Sequence, residues 1–397
     1  MEKMELEKKR ILWISDGVTP TGFGRVAHSI IGNLDSDVFQ VLHLAINYWG
    51  DPHGNNWMIY PAPIRGNIYG MDRIQEFQNA NIDMIFILND LWMINEYLKE
   101  IKNRFKEVPP VVLYFPVDAK EFDARWFEHF DIVTQAVVYT QFGYDVAKAA
   151  APDGIDFEII PHGIDTEVFY QMMMDKNEVK KISYPNNPEL QEDSSFIVLN
   201  ANRNQPRKRL DLALKGFSLF AEGKPENVRY YHHAGIRDVG WNIPKLAERY
   251  GLAKRLLLTS MEEGVQKIPE NRLNLVYNST DVGLNTSMGE GWGLPSMEHA
   301  ITGAPQVVSD NSASAEIYHD IGLLVPAEAV QVFERVETEG TVVRPEDVAE
   351  KLELLYTNRE LYEELSAKGI EKFSRPEYNW MNIADQWTEI FKRVMKI

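Results

Sequence analysis

The sequence predicts an α/β protein with two domains, each built on a parallel sheet. In both halves, short apolar runs alternate with amphipathic stretches, a rhythm typical of parallel strands joined by crossover helices. The 397 residues also exceed the size at which a single hydrophobic core usually keeps growing. A polar segment at residues 171–195, interrupted by Pro185 and Pro188, separates the halves and indicates a linker.

The predicted strands are short and mostly apolar, as expected for strands buried on both faces. In the first half they are residues 11–14, 41–44, 84–88, 111–115 and 135–139, with helices at 26–34 and 90–105. In the second half they are residues 196–199, 228–231, 255–258, 282–284 and 306–308. Residues 49–65, rich in Gly, Pro and Asn, are expected to form a loop. We therefore expect domains at residues 1–175 and 176–377, followed by an amphipathic C-terminal helix at 378–397.

The composition argues against several classes of protein. The chain is 44% apolar and 25% charged, which is ordinary for a globular protein. No apolar run approaches the roughly 18 residues that span a bilayer, and residues 1–10 are charged, so we expect neither a membrane helix nor a signal peptide, and a cytoplasmic location. The absence of cysteine excludes disulfides, thiolate zinc sites and a cysteine nucleophile. The net charge of −18 makes nucleic acid an unexpected partner, although it permits a local basic cluster.

The clearest functional pattern is the segment Gly-Glu-Gly-Trp-Gly-Leu-Pro-Ser-Met-Glu at residues 289–298. It joins a predicted strand to a predicted helix at residues 296–302, and its three glycines let the backbone approach a ligand closely. Amide groups at a helix N-terminus attract anions, and Glu290 and Glu298 flank the turn. This arrangement suits a phosphate between hydroxyl-rich groups, as in a nucleotide sugar. A structural alternative stays open, because glycine turns followed by a capping glutamate occur in many strand-to-helix junctions.

Two other segments also follow predicted strands. Basic residues at positions 203 and 207–209 come directly after the strand at 196–199. Gly22 and Gly24 follow the first strand and lead into a helix, whose N-terminus could bind phosphate. The third glycine of a dinucleotide-binding fingerprint is missing, because Ala27 stands there. A purely structural turn is therefore an equal alternative for this glycine pair.

The segment at 289–298 resembles the Glu-x7-Glu signature of the retaining glycosyltransferases of family 4, and the likeness extends from about residue 11 to the C-terminus. The residues at 22–26 and 203–211 most resemble those of microbial and virus-encoded members. The resemblance implies the GT-B fold: two Rossmann-like domains with parallel sheets facing a cleft, and a C-terminal helix that crosses back to the first domain. It also implies that Glu290 contacts the hydroxyls of the donor sugar and that Glu298 binds the nucleotide ribose. The backbone of Gly291, Trp292, Gly293 and Leu294 would then help to bind the donor phosphates.

Other residues take roles by the same resemblance. Arg203 and Lys208 match the pair that clamps the donor diphosphate, which leaves the arginines at 207 and 209 as surface charges. Gly22 and Gly24 match a glycine-rich loop near the donor phosphate. Asp118 stands where family members commonly carry a histidine. It could bind the sugar or the acceptor, or it could cap the residues that follow.

Further matches are assigned structural roles. His162 lies in a turn that resembles the family's exit from the first domain, and Asp281 belongs to an element that positions the signature strand. His232 and His233 lack carboxylate or thiolate neighbours at metal-binding spacing. His299, next to Glu298, is expected to be an ordinary helix residue.

The resemblance implies transfer of a hexose from a nucleoside-diphosphate sugar, either GDP-mannose or a UDP-hexose, with retention of configuration. The acceptor would be a saccharide or another hydroxyl compound, and neither a metal nor another cofactor is expected. A homodimer stays open. Two alternatives also stay open: a glycosyltransferase acting on modified bases in DNA, and a non-catalytic sugar-nucleotide-binding protein.

Overall fold

The computed structural model describes residues 7–266, 268–334 and 336–397. They divide into two compact units. The first comprises the described residues up to Val117 together with Glu121–Gly163 and Trp380–Ile397, and the second comprises Asp118–Lys120 and Ile164–Asn379. The sequence placed the corresponding boundaries after residues 175 and 377. Residues 1–6 of the charged N-terminal segment lie outside the described residues.

The described part of the first unit is built on a seven-stranded parallel sheet in the order β3-β2-β1-β4-β5-β6-β7. The strands are β1 (Lys9–Asp16), β2 (Phe39–Ile46), β3 (Met58–Pro61), β4 (Met84–Leu88), β5 (Val111–Phe115), β6 (Val133–Val138) and β7 (Phe157–Ile159). Three of its helices are α1 (Gly22–Asn33), α2 (Leu91–Arg104) and α3 (Gln141–Ala150). Strand β3 lies within the predicted loop at 49–65. The prediction missed it because its short apolar run at residues 57–60 lies within a segment rich in Gly, Pro and Asn.

The C-terminal helix α12 (Trp380–Met395) belongs to the first unit. Its buried residues recur at helical spacing, as the sequence predicts: Trp380, Ile383, Ala384, Trp387, Ile390, Phe391 and Val394. The Trp387 ring packs edge-on against Tyr114 and Phe86, with centroids 4.8 and 5.0 Å apart. This helix therefore completes the hydrophobic core beside the first sheet. In the described part of the chain, no helix is both long and apolar enough to cross a membrane.

The described part of the second unit is built on a six-stranded parallel sheet in the order β10-β9-β8-β11-β12-β13. The strands are β8 (Phe196–Asn200), β9 (Val228–His232), β10 (Leu256–Leu258), β11 (Val282–Asn285), β12 (Gln306–Ser309) and β13 (Gly322–Val325). An antiparallel hairpin follows, formed by β14 (Ala327–Val332) and β15 (Glu339–Val343). The helices are α4 (Lys176–Ser183), α5 (Leu210–Phe220), α6 (Ile243–Arg249), α7 (Glu270–Ser279), α8 (Leu294–Ala300), α9 (Ser312–Tyr318), α10 (Pro345–Thr357) and α11 (Arg359–Phe373). Two parallel sheets with helical connections confirm the predicted α/β fold class.

Helix α4 occupies part of the segment that the sequence predicts to be an irregular linker. Two of its lysines reach one buried carboxylate: Lys180 Nζ lies 2.9 Å from Asp281 Oδ2 and Lys176 Nζ lies 3.1 Å from Oδ1. The same carboxylate accepts a hydrogen bond of 2.8 Å from the backbone N–H of Ile197. Asp281 therefore ties α4 to the beginning of β11. Only Val179 and Ile182 of this short helix are apolar, so the sequence offered too few apolar positions to reveal it.

Candidate functional site

The candidate site lies at the carboxyl ends of the adjacent strands β8 and β11. These strands pair directly, with Val282 opposite Val198, and the sheet continues in opposite directions from them. In open α/β sheets, ligands bind at such a topological switch point. The basic segment at 201–209 follows β8, and the glycine-rich loop at 286–293 follows β11. The fold therefore starts both predicted segments from the same edge of the sheet.

Contacts within the second unit fix the backbone of the glycine-rich loop. A Cβ atom at Gly289 would lie 1.7 Å from the backbone oxygen of Asp118, so only glycine fits there. Gly293 has a φ of +91° immediately before α8, a conformation that favours glycine. The side-chain amide of Asn311 donates to the backbone oxygens of Ser287 and Met288, each at 3.1 Å. The loop is therefore held by main-chain contacts that leave little room for side chains.

Glu290 is the buried centre of the site. Its side chain is 4% exposed, and Oε1 accepts hydrogen bonds from Lys208 Nζ and from Asn285 Nδ2, the latter at 3.0 Å. Arg207 Nη1 lies 3.8 Å from the other carboxylate oxygen. Burial alone would raise the pKa of Glu290, but the charges of Lys208 and Arg207 outweigh it and hold the pKa below its usual range. Glu290 is therefore a buried carboxylate that stays ionised near neutral pH.

Lys208 is placed by a tight turn after β8. Residues Pro206–Lys208 form a short 3-10 helix, and Arg209 takes a left-handed conformation with a φ of 48° before α5 begins. The Thr286 hydroxyl donates to the backbone oxygens of Lys208 and Arg209, at 3.2 and 2.9 Å. Burial and the charge of Arg207 lower the pKa of Lys208 to about 8, although Glu290 opposes the shift. The amine thus remains mostly protonated at pH 7.

Arg203 is placed differently from Lys208. Its Nε lies 2.6 Å from Asp238 Oδ2, and 44% of its side chain is exposed. The structure thus brings Lys208 onto Glu290, while Arg203 follows the same strand and pairs with a carboxylate beyond β9. Its predicted role as the second diphosphate cation stays a prediction.

Glu298, the second predicted acid, is buried within α8 and 3% exposed. One carboxylate oxygen accepts a hydrogen bond of 2.8 Å from the hydroxyl of Tyr277 on α7. The Tyr277 ring in turn stacks on His299, with centroids 5.4 Å apart. The carboxylate therefore has a fixed orientation, and ribose binding by it stays a prediction.

The prediction that Arg207 is a surface charge was wrong. The residue is half-buried, and its Nη1 donates to the Gly289 oxygen at 2.8 Å. The same nitrogen lies 3.4 Å from Asp118 Oδ2. Asp118, a predicted site residue, thereby joins the carboxylate of Glu290 around one guanidinium. Pro206 was the available signal, because a proline inside a basic run indicates a turn rather than a solvated helix end.

The remaining residues of the loop are buried or half-buried. The Trp292 indole is buried and donates to the sulfur of Met297 at 3.1 Å. Gly291 is buried, whereas Gly293 and Leu294 are half-buried at the beginning of α8. Their predicted contacts with donor phosphates are consistent with amide groups rather than with side chains.

Gly22 and Gly24 lie in the first unit, at the beginning of α1. A Cβ atom at Gly24 would come within 2.5 Å of the Thr19 oxygen, so the turn itself requires glycine. Thr21 caps the helix, since its hydroxyl oxygen accepts from Gly24 N at 3.1 Å and the hydroxyl donates to Asp16 Oδ2 at 2.5 Å. The geometry accounts for Gly24 as a structural residue, and a binding role for the pair stays a prediction.

The histidines assigned structural roles are buried and neutral. Burial lowers the pKa of both His162 and His299 to about 3, and that of His232 to about 4. Within the described residues, no cluster of three or more His, Cys, Asp or Glu side chains could hold a metal ion.

Comparisons with known proteins agree with this architecture. A family model described as glycosyl transferase-like matches residues 245–389. No curated protein sequence matches the chain. Among solved structures, sucrose-phosphate synthase from Thermosynechococcus elongatus is similar at 14% identity and a TM-score of 0.72, over 98% of this chain and 100% of that one.

Two further solved structures are similar over nearly their whole length. Anabaena HepE in complex with UDP and glucose shares 13% identity and a TM-score of 0.71, over 97% of this chain and 100% of that one. WaaG, a glycosyltransferase involved in lipopolysaccharide biosynthesis, shares 12% identity and a TM-score of 0.70, over 96% and 99%. The chain therefore has the GT-B fold, and its C-terminal half is similar to a glycosyl transferase-like domain.

Proposed function

We propose that this protein transfers a hexose from a nucleoside-diphosphate sugar to a hydroxyl acceptor with retention of anomeric configuration. The observation that carries the proposal is the buried pair of Lys208 and Glu290 at the switch point between β8 and β11. It sits beside a loop whose backbone is fixed by glycine contacts. A cation, a carboxylate and backbone amides at one sheet edge match a ligand that joins a diphosphate to a polyol.

In the proposed reaction, the bond between the anomeric carbon and the β-phosphate oxygen breaks, and its electron pair leaves with the diphosphate. Lys208 stabilises the negative charge that develops on this leaving group, because its ammonium is already held in a buried site. Arg203 and the amides of residues 291–294 add further positive potential. The pKa of Lys208, lowered to about 8, keeps enough of the cationic form at neutral pH for this role.

The acceptor hydroxyl attacks the anomeric carbon from the face that the diphosphate leaves. Its proton passes to the departing phosphate oxygen, so no separate protein base is required. Retention follows because the new bond forms on the same face as the broken one. Glu290 is held by Lys208 and Asn285, which suits a carboxylate that binds sugar hydroxyls rather than a nucleophile.

Glu298 is assigned to the ribose of the donor, where its side-chain oxygens would accept hydrogen bonds from the 2′- and 3′-hydroxyls. For the donor, the solved HepE structures contain UDP, glucose or UDP-glucose, which makes UDP-hexoses the first candidates to test beside GDP-mannose. We propose a metal-independent reaction, in which protein cations neutralise the diphosphate.

The test is a panel of nucleotide sugars titrated calorimetrically into the purified chain, followed by an assay of donor hydrolysis or transfer by chromatography. We expect one UDP-hexose or GDP-mannose to bind and to release its nucleoside diphosphate, with an unchanged rate in excess EDTA. An NMR spectrum of the released or transferred sugar would report its anomer. Failure of every donor to bind would overturn the proposed function, inversion would overturn the retaining mechanism, and strong inhibition by EDTA would overturn metal independence.

A further inference from the structure

One nitrogen of Arg207 connects three acceptors in the second unit. Nη1 donates to the Gly289 oxygen at 2.8 Å and lies 3.4 Å from Asp118 Oδ2 and 3.8 Å from Glu290 Oε2. The guanidinium is therefore anchored to the backbone of the glycine-rich loop while it faces two carboxylates. A lysine could not reproduce this arrangement, because its ammonium is a point charge on a flexible stem.

The backbone that carries Asp118 is held in place by the hairpin β14–β15. The backbone of Lys120 and that of Glu339 exchange two hydrogen bonds, at 2.9 and 3.1 Å, which fixes the segment Asp118–Lys120 beside β15. Ala119 packs with Met288 and Phe333 in a small apolar cluster. Asp118 therefore approaches the glycine-rich loop in one fixed register.

Stability does not account for this arrangement. The side chains of Asp118 and Arg207 are 28% and 33% exposed, and partly exposed ion pairs contribute little to folding. By contrast, the Glu290 carboxylate just beneath them is almost fully buried. The result is one partly accessible and one buried carboxylate, separated by a rigid planar cation.

Resting on the proposed function, we propose that Arg207 is a positioning residue that determines sugar specificity. It fixes Asp118 and Glu290 relative to each other, so that the two carboxylates accept hydrogen bonds from two different hydroxyls of the donor hexose. A sugar with one of these hydroxyls inverted then leaves one carboxylate without its partner. Buried polar groups left unpaired in this way are a strong source of discrimination.

Arg207 also affects the ionisation of Glu290. The charged and titratable groups that face this carboxylate are Lys208, Arg207 and, by its electrostatic influence, Tyr318. Burial raises the pKa of Glu290, whereas Lys208 and Arg207 lower it. Removing the Arg207 charge should therefore move the acidic limb of the pH–rate profile to higher pH.

The experiment compares Arg207→Gln and Arg207→Lys with Arg209→Gln as a matched control. Arg209 pairs with Asp211 and Gln331, away from the two carboxylates. Each protein is assayed for donor hydrolysis with UDP-glucose and UDP-galactose, which differ at one hydroxyl, and for UDP affinity by calorimetry. If the wild type prefers a guanosine donor, GDP-mannose, GDP-glucose and GDP replace these three compounds.

We expect Arg207→Gln to reduce the ratio of kcat/KM between the two sugars about tenfold or more, while its affinity for the nucleotide changes little. The acidic limb of its pH–rate profile should shift to higher pH. Arg207→Lys should keep the acidic limb of the pH–rate profile at its wild-type position, because the positive charge remains. It should still lose the discrimination between the two sugars. Arg209→Gln should match the wild type, and the nucleotide affinity of each variant shows that its site is folded.

An unchanged sugar ratio in Arg207→Gln would overturn the inference, even if overall activity fell. So would a loss confined to nucleotide affinity, since Arg207 would then be a phosphate ligand. A wild-type chain that binds and turns over no nucleotide sugar would instead overturn the proposed function on which the inference rests.

Discussion

Strand β11 carries an ionic cluster at each end, and the two clusters differ in a way that separates structure from chemistry. At its beginning, Asp281 pairs with Lys176 and Lys180; after its end, Glu290 pairs with Lys208 and faces Arg207. In both clusters burial raises the pKa of the carboxyl group, and two cations lower it below its usual range. The composition of the two clusters is thus nearly the same.

The difference lies in the cations. At Lys176, burial is the largest single effect, but Asp281 and Tyr362 together outweigh it, and the lysine pKa rises. At Lys208, burial and the charge of the neighbouring Arg207 outweigh the attraction of Glu290, and the pKa falls to about 8. The neighbouring groups account for the difference, because Arg207 lowers the pKa of Lys208, whereas Asp281 and Tyr362 both raise that of Lys176. A buried ammonium beside a second cation is suited to receive an anionic ligand.

The largest effect is expected for the structural cluster. Asp281→Ala leaves two lysines near the core without their counter-ion, and it should lower the free energy of unfolding by about 3–5 kcal/mol. Denaturant unfolding measures the change. Glu364→Ala, which removes one partner of the exposed pair with Lys368, is the control and should cost less than about 1 kcal/mol. Equal losses in both variants would show that the Asp281 cluster is not structural.

The carboxylate of the second cluster should affect turnover instead. Glu290→Gln keeps the side-chain volume but removes the charge that binds Lys208, and kcat should fall about 10²–10³-fold. Steady-state kinetics with the preferred donor measures this, and the nucleotide affinity serves as the folding control. A variant that retains wild-type kcat would remove Glu290 from the reaction.

The two acids of the segment 289–298 should differ from each other. Glu298→Ala should weaken nucleotide binding by about 1–3 kcal/mol, because the ribose hydroxyls lose the acceptor assigned to them. The buried hydroxyl of Tyr277 also loses its hydrogen-bond partner. Tyr277→Phe, which removes only the donor hydroxyl, is the matched control and should have a smaller effect. Calorimetry with the nucleoside diphosphate measures the affinity of each variant. Equal losses of affinity in Glu290→Ala and Glu298→Ala would contradict the assignment of the sugar to Glu290 and of the ribose to Glu298.

The smallest effect concerns pH. The site needs Lys208 as a cation, so the rate should decline as pH rises through about 8, where the amine loses its proton. In Lys208→Arg the guanidinium stays protonated, and this alkaline decline should disappear from whatever activity remains. Initial rates measured across the alkaline range give the profile. A wild-type rate that stays constant well above pH 8 would show that the charge of Lys208 is not required.

The sequence predicted the fold wherever a local pattern carried the information. Strands such as β4 and β5 are continuous apolar runs because both of their faces are buried. They can therefore be predicted from the sequence without knowledge of tertiary contacts. Strand β14 is largely exposed, so no such run marks it, and the short apolar run of β3 lies in a segment rich in Gly, Pro and Asn. The polar helix α4 was missed for another reason, because its lysines are fixed by Asp281, about 100 residues away in the chain.

For the site, residue types were predictable and their partners were not. The glycine string and the acids at 290 and 298 were visible as a local motif, and the strand order brings the basic segment beside it. Which arginine of that segment faces Glu290 depends on the turn at Pro206–Lys208 and on the approach of Asp118 to Gly289. The turn is marked locally by Pro206, whereas the approach of Asp118 is a contact between distant parts of the chain, which a run of basic residues does not encode.

The lowered pKa of Lys208 also makes it chemically distinguishable from Lys176. An amine that releases its proton near pH 8 becomes a nucleophile under mildly alkaline conditions, whereas Lys176, with its raised pKa, remains an unreactive ammonium. A nucleotide analogue bearing an aldehyde would therefore form a Schiff base at position 208 in preference to 176. Reduction and peptide mapping would then mark the binding site covalently.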